Sequence, residues 1–350
     1  WTRPGPGRQA FDLSDIDLQL GRWPALHLLA PALLHHDRAG WRLPRPACFA
    51  LGEPGRLCIE GDAGDLRLSG EALELATFIA LLPDPEGLPV EPQGRFDLQA
   101  RRLQTAAGPR LELELQSDEG RLRLDEAEAG TGELELGWRQ LRFGLVQDGG
   151  WQTRLGADLQ PQGRIDAELA IDPAGALAGS AALRIDDLAV LELLSADLAA
   201  PRGRIEGRLV LSGRREAPLW SGAMTAAPLS VELPALGIAI RDGSLQLAAD
   251  EAGRLRLSGH LPSGEGALRL EGEWRQASRE GRLSLQGSEV RVLDTAEGRV
   301  WVSPALELAV GAERLRLRGR VDVPRAVLNL DHLGGDTRLS PDVVVLDAPA

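Results

Sequence analysis

Hydrophobic residues recur at every second position along most of this chain. In residues 253–261, leucines at positions 255, 257 and 261 alternate with arginine, serine and histidine. Residues 314–323 repeat this plan with leucine, valine and arginine. Successive side chains of a β-strand point to opposite faces of a sheet. A period of two therefore predicts strands with one apolar and one charged face.

Turns that contain glycine separate these short segments. Examples are Asp148-Gly149-Gly150, Asp242-Gly243-Ser244 and Glu251-Ala252-Gly253. The even spacing predicts hairpins in a meandering antiparallel sheet of roughly 20 strands. Open, twisted sheets rarely exceed about 10 strands without curling or splitting, so we expect this sheet to curl.

Three segments, 23–37, 73–82 and 188–198, carry apolar residues at helical spacing instead. Each predicts a short amphipathic helix. The proline-rich stretch 83–92 is the best candidate for a soft boundary. We therefore divide the chain into residues 1–92, a first β-meander with short helices and both cysteines, and residues 93–350, a continuous section of curled sheet without a sharp internal boundary.

The apolar face of so many strands needs a cover, and three short helices cannot supply it. Two sheets could pack face to face as a sandwich, or the strands could form a closed β-solenoid. The other solution is a sheet folded along its length into an open trough, whose aliphatic walls would hold acyl chains. Aromatic residues make up only 4% of the chain, which suits an aliphatic trough. The period of two alone leaves both architectures open.

Composition and motifs narrow the classes of function. The net charge of -13 argues against a nucleic-acid partner, because such proteins carry a basic face. No apolar run reaches the roughly 20 residues of a membrane-spanning helix. No Gly-x-Ser-x-Gly, phosphate-loop or Gly-x-Gly-x-x-Gly motif occurs, so we expect no nucleotide, no cofactor and no enzymatic activity. We interpret His35-His36-Asp37 as the solvated end of a helix rather than a metal site.

The two cysteines, Cys48 and Cys58, flank the turn Gly52-Glu53-Pro54-Gly55. A hairpin around this turn could place the two sulfur atoms opposite each other. One intrachain disulfide and an oxidising compartment are favoured, and two buried free thiols are the alternative.

Several short motifs follow one another in the C-terminal half. Gly203-Arg204-Ile205 precedes Ala217-Pro218-Leu219-Trp220-Ser221-Gly222, and Leu233-Pro234-Ala235-Leu236-Gly237 leads to Arg241-Asp242-Gly243. The most specific motif ends the series with Ser340, Asp342, Val343 and Asp347. In this order and spacing the motifs resemble those of the TamB family of bacterial envelope proteins. Cys48 and Cys58 also resemble a cysteine pair that the family places earlier in the chain.

The resemblance implies an elongated, U-shaped antiparallel sheet, called a β-taco, with an apolar groove and a few short helices. It also implies a place in the periplasm of a Gram-negative bacterium, anchored in the inner membrane. Members of the family are longer, so we expect an internal section whose anchor and terminal domain lie outside this chain. The implied partner is the outer-membrane barrel TamA, contacted through a C-terminal part that this chain lacks.

We therefore hypothesise a non-enzymatic conduit that moves phospholipid from the inner to the outer membrane by binding its acyl chains. One rival is a chaperone or scaffold for the insertion of outer-membrane proteins. The other is a structural spacer or β-solenoid with a dry, closed core. The expected groove-lining residues are Leu209, Leu211, Leu245, Leu247, Leu255, Leu257, Leu268, Leu270, Leu283, Leu285, Leu315, Leu317, Val321 and Val323.

Overall fold

The computed structural model describes most of the 350-residue chain. The described ranges are 9–18, 25–38, 40–79, 90–124, 134–160, 162–188, 198–234, 237–294, 298–311 and 314–328. They contain 22 β-strands and one short α-helix. No helix within these ranges is both long enough and apolar enough to cross a membrane.

The strands follow one another with few interruptions. The first part of the chain forms β1 (Gln9–Leu13), β2 (Asp17–Leu18), β3 (Leu26–Leu28), β4 (Ala32–Asp37), β5 (Gly40–Ala50), β6 (Arg56–Asp62), β7 (Asp65–Glu74) and the helix α1 (Leu75–Ile79). The middle part forms β8 (Val90–Thr105), β9 (Gly108–Leu124), β10 (Leu134–Asp148), β11 (Gly150–Gln160), β12 (Gly163–Ile171), β13 (Leu177–Ile185), β14 (Ala199–Arg214) and β15 (Ala217–Leu233). The last part forms β16 (Ile238–Ala249), β17 (Arg254–Ser263), β18 (Gly266–Arg275), β19 (Glu280–Ser288), β20 (Val290–Asp294), β21 (Gly298–Val310) and β22 (Leu315–Leu328).

All of these strands belong to one antiparallel sheet. From β5 to β19 each strand pairs with the next strand along the chain. At the two ends of this meander, β3 and β4 share one edge of β5, and β19 and β20 share one edge of β21. The predicted antiparallel meander is confirmed, and the described strands do not form a sandwich of two separate sheets.

The sheet curls because many of its strands contain a β-bulge near the same long edge. Register shifts interrupt the pairing of β7, β8, β10, β14, β15 and β21 near the same long edge of the sheet. Residues at these shifts have left-handed backbone, with φ from 47° at Ala200 to 55° at Asp242. An extra residue in one strand of a pair bends that strand and increases its twist. A line of such bulges therefore bends the whole sheet along one edge.

The curl is increased where the β17–β18 hairpin ends, because the strands on its two sides extend past its tip. Beyond this tip, β16 and β20 approach each other, so that a side chain at Gly237 would collide with the carbonyl oxygen of Val292. The Ser263 hydroxyl, at the end of β17, donates a hydrogen bond to the carbonyl oxygen of Arg291 at 3.1 Å. At the opposite edge, β17, β18 and β19 lie between β16 and β21. The sheet is therefore narrower along one edge than along the other.

The prediction of a helix over residues 23–37 is wrong. Its described part forms strands β3 and β4, which pair with β5. Leu26 is buried, whereas Leu29 and Leu33 are exposed, so leucines at helical spacing do not share a buried face here. Pro31 also stands between the two strands, and a proline inside a helix removes a backbone hydrogen bond.

His35-His36-Asp37 therefore ends a strand rather than a helix. The two imidazoles point to opposite faces, because they are neighbours on a strand. His36 packs against Trp41, with the ring centroids 4.4 Å apart.

The other two helix predictions have mixed outcomes. The segment 73–82 contains the short α1, but its first two residues belong to β7 and residues 80–82 lie outside the described ranges. Residues 189–197 of the segment 188–198 also lie outside the described ranges. The division of the chain at residues 92 and 93 stays a prediction.

Two of the three predicted turns are confirmed, and one is wrong. The chain turns at 148–150 and at 251–253, between successive strands. Asp242-Gly243-Ser244 instead lies inside β16, where Asp242 occupies a bulge. Asp-Gly tolerates left-handed backbone in either setting, so this dipeptide does not by itself distinguish a turn from a bulge.

Candidate functional site

One row of apolar residues and glycines crosses the sheet from β3 to β22. Each member lies directly opposite the next on the neighbouring strand, and no charged or polar side chain interrupts the row. Its eighteen members are Leu28, Phe49, Leu57, Gly70, Leu98, Leu115, Phe143, Leu155, Ala167, Ala181, Leu209, Gly222, Ala249, Leu255, Trp274, Gly281, Val310 and Leu315. We call this set the apolar row, and the side of the sheet that carries it the apolar face.

The opposite side, which we call the polar face, carries the charges. Along β17, Arg254, Arg256, Ser258 and His260 are exposed, whereas Leu257 between them is half-buried. β14 shows the same alternation over its whole length. The period of two seen in the sequence thus becomes two chemically distinct faces, because cross-strand partners share a face.

The predicted lining residues lie on the apolar face wherever the strand register is described. Leu209, Leu255 and Leu315 belong to the apolar row itself. Leu247, Leu257, Leu283 and Leu317 form a parallel row with Gly272 and Leu308. Leu245, Leu270 and Leu285 form another with Gly259 and Leu306. Leu211 lies opposite Gly179 and Trp220, Leu268 opposite Leu261 and Gly287, and Val321 opposite Pro304.

Two groups of these residues differ in burial. On β14 to β19 the leucines are half-buried, apart from the buried Leu268. On β22, Leu315, Leu317, Val321 and Val323 are exposed, because β22 pairs on one side only among the described strands. A second layer packed on the apolar face would bury all of them. The face is therefore sheltered by the curl of the sheet and remains accessible, and whether it lines a lipid groove stays a prediction.

The two long edges of the sheet differ. We call one the bulged edge, formed by the connections 51–55, 75–89, 125–133, 161–162, 186–198, 234–237, 264–265 and 295–297. We call the other the tight-turn edge, formed by the connections 63–64, 106–107, 149, 172–176, 215–216, 250–253, 276–279 and 311–314. The register shifts of β7 to β21 all lie on the side of the bulged edge.

Burial follows the same division. Side chains in the strand halves nearest the bulged edge are buried, and they include Leu73, Phe96, Trp138, Val231, Ile240, Val290 and Trp301. At the tight-turn edge, Trp151 and Trp220 on the apolar face remain 47% and 41% exposed. The curled sheet is thus closed along the bulged edge and open along the tight-turn edge.

Polar side chains satisfy the backbone groups that the bulges release. The Asp97 carboxylate accepts a hydrogen bond from the Ala72 backbone N–H at 2.8 Å, and the Ser303 hydroxyl accepts one from the Glu289 N–H at 3.1 Å. A backbone group without such a partner would be costly to bury. Sequence reasoning missed these residues, since nothing in the pattern separates them from other polar positions.

Ser117 is the most buried of these polar residues. Its hydroxyl donates to the carbonyl oxygen of Arg95 at 2.7 Å, and the indole N–H of Trp138 donates to its oxygen at 3.2 Å. Both Ser117 and Trp138 are buried. This small network fixes the bend of three neighbouring strands, β8, β9 and β10.

Charge is also divided between the two edges. The described residues in the connections of the tight-turn edge include Asp172, Glu216, Asp250 and Glu251 together with Arg215, Arg279 and Arg314. The described residues in the connections of the bulged edge include the acidic residues Glu53, Asp186, Asp187 and Glu265 and no arginine.

On the polar face, ion pairs join arginines and carboxylates of neighbouring strands. Arg101 contacts Asp65 through two nitrogens, at 2.8 and 2.7 Å, and Arg67 lies 3.0 Å from the same carboxylate. The hydrogen bond from Arg101 lowers the pKa of Asp65 to about 2, although partial burial works in the opposite direction. Arg164 likewise lowers the pKa of Asp166 by hydrogen bonding. These groups have structural partners and form no catalytic pair.

Cys48 and Cys58 form a disulfide, as predicted. They lie directly opposite each other on β5 and β6, with their Cα atoms 4.0 Å apart. The guanidinium of Arg56 covers the bond, with nitrogens 3.3 Å from the Cys58 Sγ and 3.7 Å from the Cys48 Sγ. The alternative of two free thiols is therefore wrong.

No group of three or more metal-ligating side chains occurs within the described ranges. The motif residues Ser340, Asp342, Val343 and Asp347 lie outside those ranges, so the structure does not place them.

Comparison with known proteins gives a distant relationship. No protein-family model matches the chain, and no solved structure matches it. Over 211 residues, which is 58% of this chain, it is 23% identical to the translocation and assembly module subunit TamB of Haemophilus influenzae. The chain is distantly TamB-like. The match covers 16% of the length of that relative, so the chain corresponds to a small part of it.

Proposed function

We propose that this chain is a non-enzymatic section of a lipid conduit that moves phospholipid between the inner and outer membranes. The apolar row carries the proposal, because it crosses eighteen strands without a charged side chain and is accessible along one edge. Each acyl CH₂ group placed against such a wall leaves water with a gain of ~0.8 kcal/mol. Neighbouring sections of the wall are chemically alike, so a bound chain can move along it at little cost.

The proposed setting is the bacterial periplasm, with an inner-membrane anchor elsewhere in a longer protein. The disulfide between Cys48 and Cys58 supports an oxidising compartment. The relative named above is a subunit of a translocation and assembly module. This supports joint action with the outer-membrane barrel TamA, through a part of the protein other than the sections described here.

A pair of neighbouring substitutions tests the conduit. Leu257→Asp places a charge on the apolar face, and Ser258→Asp places the same charge on the polar face of the same strand. An unpaired charge in an apolar site is costly, so we expect Leu257→Asp to lower the phospholipid that co-purifies with the protein by about tenfold or more. Ser258→Asp should leave it unchanged. Equal lipid content in both variants would contradict the proposal.

A scaffold for outer-membrane strands is the second candidate, and β22 is the observation that favours it. This strand pairs only with β21 among the described strands, and its residues are exposed on both faces. An unpaired strand edge can template the addition of another strand. Under this candidate, substitutions on the apolar face would leave function intact, whereas a proline introduced into β22 would abolish it.

A further inference from the structure

The polar face forms a cleft where β17, β18, β19, β21 and β22 lie side by side. The cleft has a volume of about 710 Å³ and lies beside the tight-turn edge. A twisted sheet is saddle-shaped, so each of its faces is concave in one direction. Six arginines and two glutamates line this cleft, which we call the basic cleft, and the arginines are Arg254, Arg256, Arg275, Arg282, Arg314 and Arg316.

The basic cleft differs in charge from two other clefts on the polar face. Each of those has a volume of about 430 Å³ and is lined by three arginines and four carboxylates. The chain as a whole carries a net charge of -13. The excess of arginine in the basic cleft therefore runs against the charge of the molecule, and it attracts anions to this one place.

Two arginines of the basic cleft lie opposite each other on neighbouring strands. Arg254 on β17 is the direct cross-strand partner of Arg275 on β18. Arg254 lies 2.8 Å from Asp250, and Arg275 lies 3.6 Å from Glu280. Like charges in directly opposite positions destabilise a sheet. A bound anion would offset this repulsion, so the arrangement favours an anionic ligand.

Three other arginines of the basic cleft form a row across the strands. Arg256 on β17, Arg282 on β19 and Arg316 on β22 are exposed, and Glu273 and Ala309 lie between them in the cross-strand register. Arg256 lies 3.9 Å from Glu273, and Arg282 lies 4.0 Å from Glu307. These distances are too long for hydrogen bonds, and Arg316 has no ion pair among the described residues. The guanidinium N–H groups of this row are therefore available to a ligand.

We propose that the basic cleft binds an extended acidic segment of a partner protein, whose carboxylates pair with Arg256, Arg282 and Arg316. Two strand spacings separate successive arginines of the row, which places them roughly 10 Å apart. A single small anion therefore reaches only one of them. A polyproline II segment presents every third residue on the same side at intervals of ~9 Å, which fits the row. Guanidinium groups also match the geometry of carboxylates.

This proposal goes beyond the lipid conduit and does not depend on it. The basic cleft lies on the polar face, whereas acyl chains are proposed to bind on the apolar face. The two surfaces can therefore be occupied at the same time, one by lipid and the other by a protein partner.

The test measures the binding of a short acidic peptide to the full chain by fluorescence anisotropy. The labelled peptide has blocked ends and contains three glutamates separated by pairs of prolines, and a second peptide carries glutamine in place of glutamate. The cleft variant combines R256Q, R282Q and R316Q. The control variant combines R142Q, R154Q and R208Q, which are exposed arginines elsewhere on the polar face. Both variants lose three positive charges, and circular dichroism checks that both are folded.

We expect the wild type and the control variant to bind the glutamate peptide and not the glutamine peptide. The cleft variant should bind the glutamate peptide about tenfold more weakly, which is the scale of three exposed ion pairs acting together. No binding of the glutamate peptide by the wild type, or an equal loss of affinity in both variants, would overturn the proposal. Tighter binding of the same arginines to phosphatidylglycerol vesicles than to the peptide would also overturn it, in favour of a lipid surface. None of these outcomes alters the expectation for lipid bound on the apolar face.

Discussion

At the scale of single residues, the two faces of each strand obey different rules. The apolar face carries mainly aliphatic, aromatic and small residues, and polar exceptions such as Arg102 and Gln147 lie near the tight-turn edge. The polar face instead relies on pairs such as Arg101 with Asp65, which join one strand to the next. Exposed pairs of this kind contribute little individually, and a carboxylate held by two arginines is the one whose effect is best measured.

Asp65 gives a prediction for the dependence of stability on pH. Its pKa is lowered to about 2 by Arg101 and Arg67. A lowered pKa contributes stability that is fully present above the ordinary value of about 4 and is lost as the pH falls through about 2. We expect Asp65→Asn to be less stable than the wild type at pH 7, and the difference to shrink between pH ~4 and ~2.

Denaturant unfolding across this range of pH measures the effect. Glu114→Gln is the matched control, because Glu114 is exposed on the polar face of β9 and has no ion pair among the described residues. A difference between wild type and Asp65→Asn that stays constant from pH 7 to pH 2 would show that the ion pair contributes nothing.

At the scale of strands and turns, the sequence predicts which face of the sheet a side chain lies on better than it predicts where a strand bends. Leu255 and Leu257 reveal their face by local alternation, because the period of two is a property of a single strand. Asp242 does not reveal its bulge, because an Asp-Gly pair fits a turn equally well. The closed edge could not be predicted either, since it depends on register shifts between strands that are distant in sequence.

The candidate site shows the same limit. The side of the sheet on which its apolar residues lie could be predicted from Leu209 to Val321. The difference between its two edges could not be predicted, because the order of the strands must first be known before connections such as 51–55 and 264–265 are seen to lie on one side. The two hydrogen bonds between the Trp220 backbone and the Gln276 side chain could not be predicted either, because the two residues are remote in sequence.

The bulges give a prediction at this scale. Ser117→Ala removes the hydroxyl that bonds both Arg95 and Trp138, and it leaves the buried indole N–H of Trp138 without this acceptor. Such a loss costs ~1–3 kcal/mol of the free energy of unfolding. Ser180→Ala, on the exposed face of β13, should change it by less than ~0.5 kcal/mol. Urea unfolding of both variants measures the difference, and equal values would mean that the bend does not depend on Ser117.

At the scale of the whole molecule, the fold is close to one-dimensional. Each strand pairs with its neighbours, and the apolar face is built by repetition rather than by a central core. A cluster of buried apolar side chains is formed by Leu26, Leu51, Leu73, Phe96 and Leu98 near the first strands. Beyond it, the sheet continues with half-buried leucines up to β19. Such a wall suits a path along the molecule better than a pocket at one point.

Site-specific photo-crosslinking in cells tests this continuous path most directly. A photoreactive residue replaces Leu115, Leu155 or Leu255, which lie in the apolar row on β9, β11 and β17. The controls replace Glu114, Arg154 and Arg256, their exposed neighbours on the polar face. The account predicts lipid adducts at all three row positions and none at the controls. Adducts confined to one segment, adducts with protein alone, or equal labelling of both faces would contradict it.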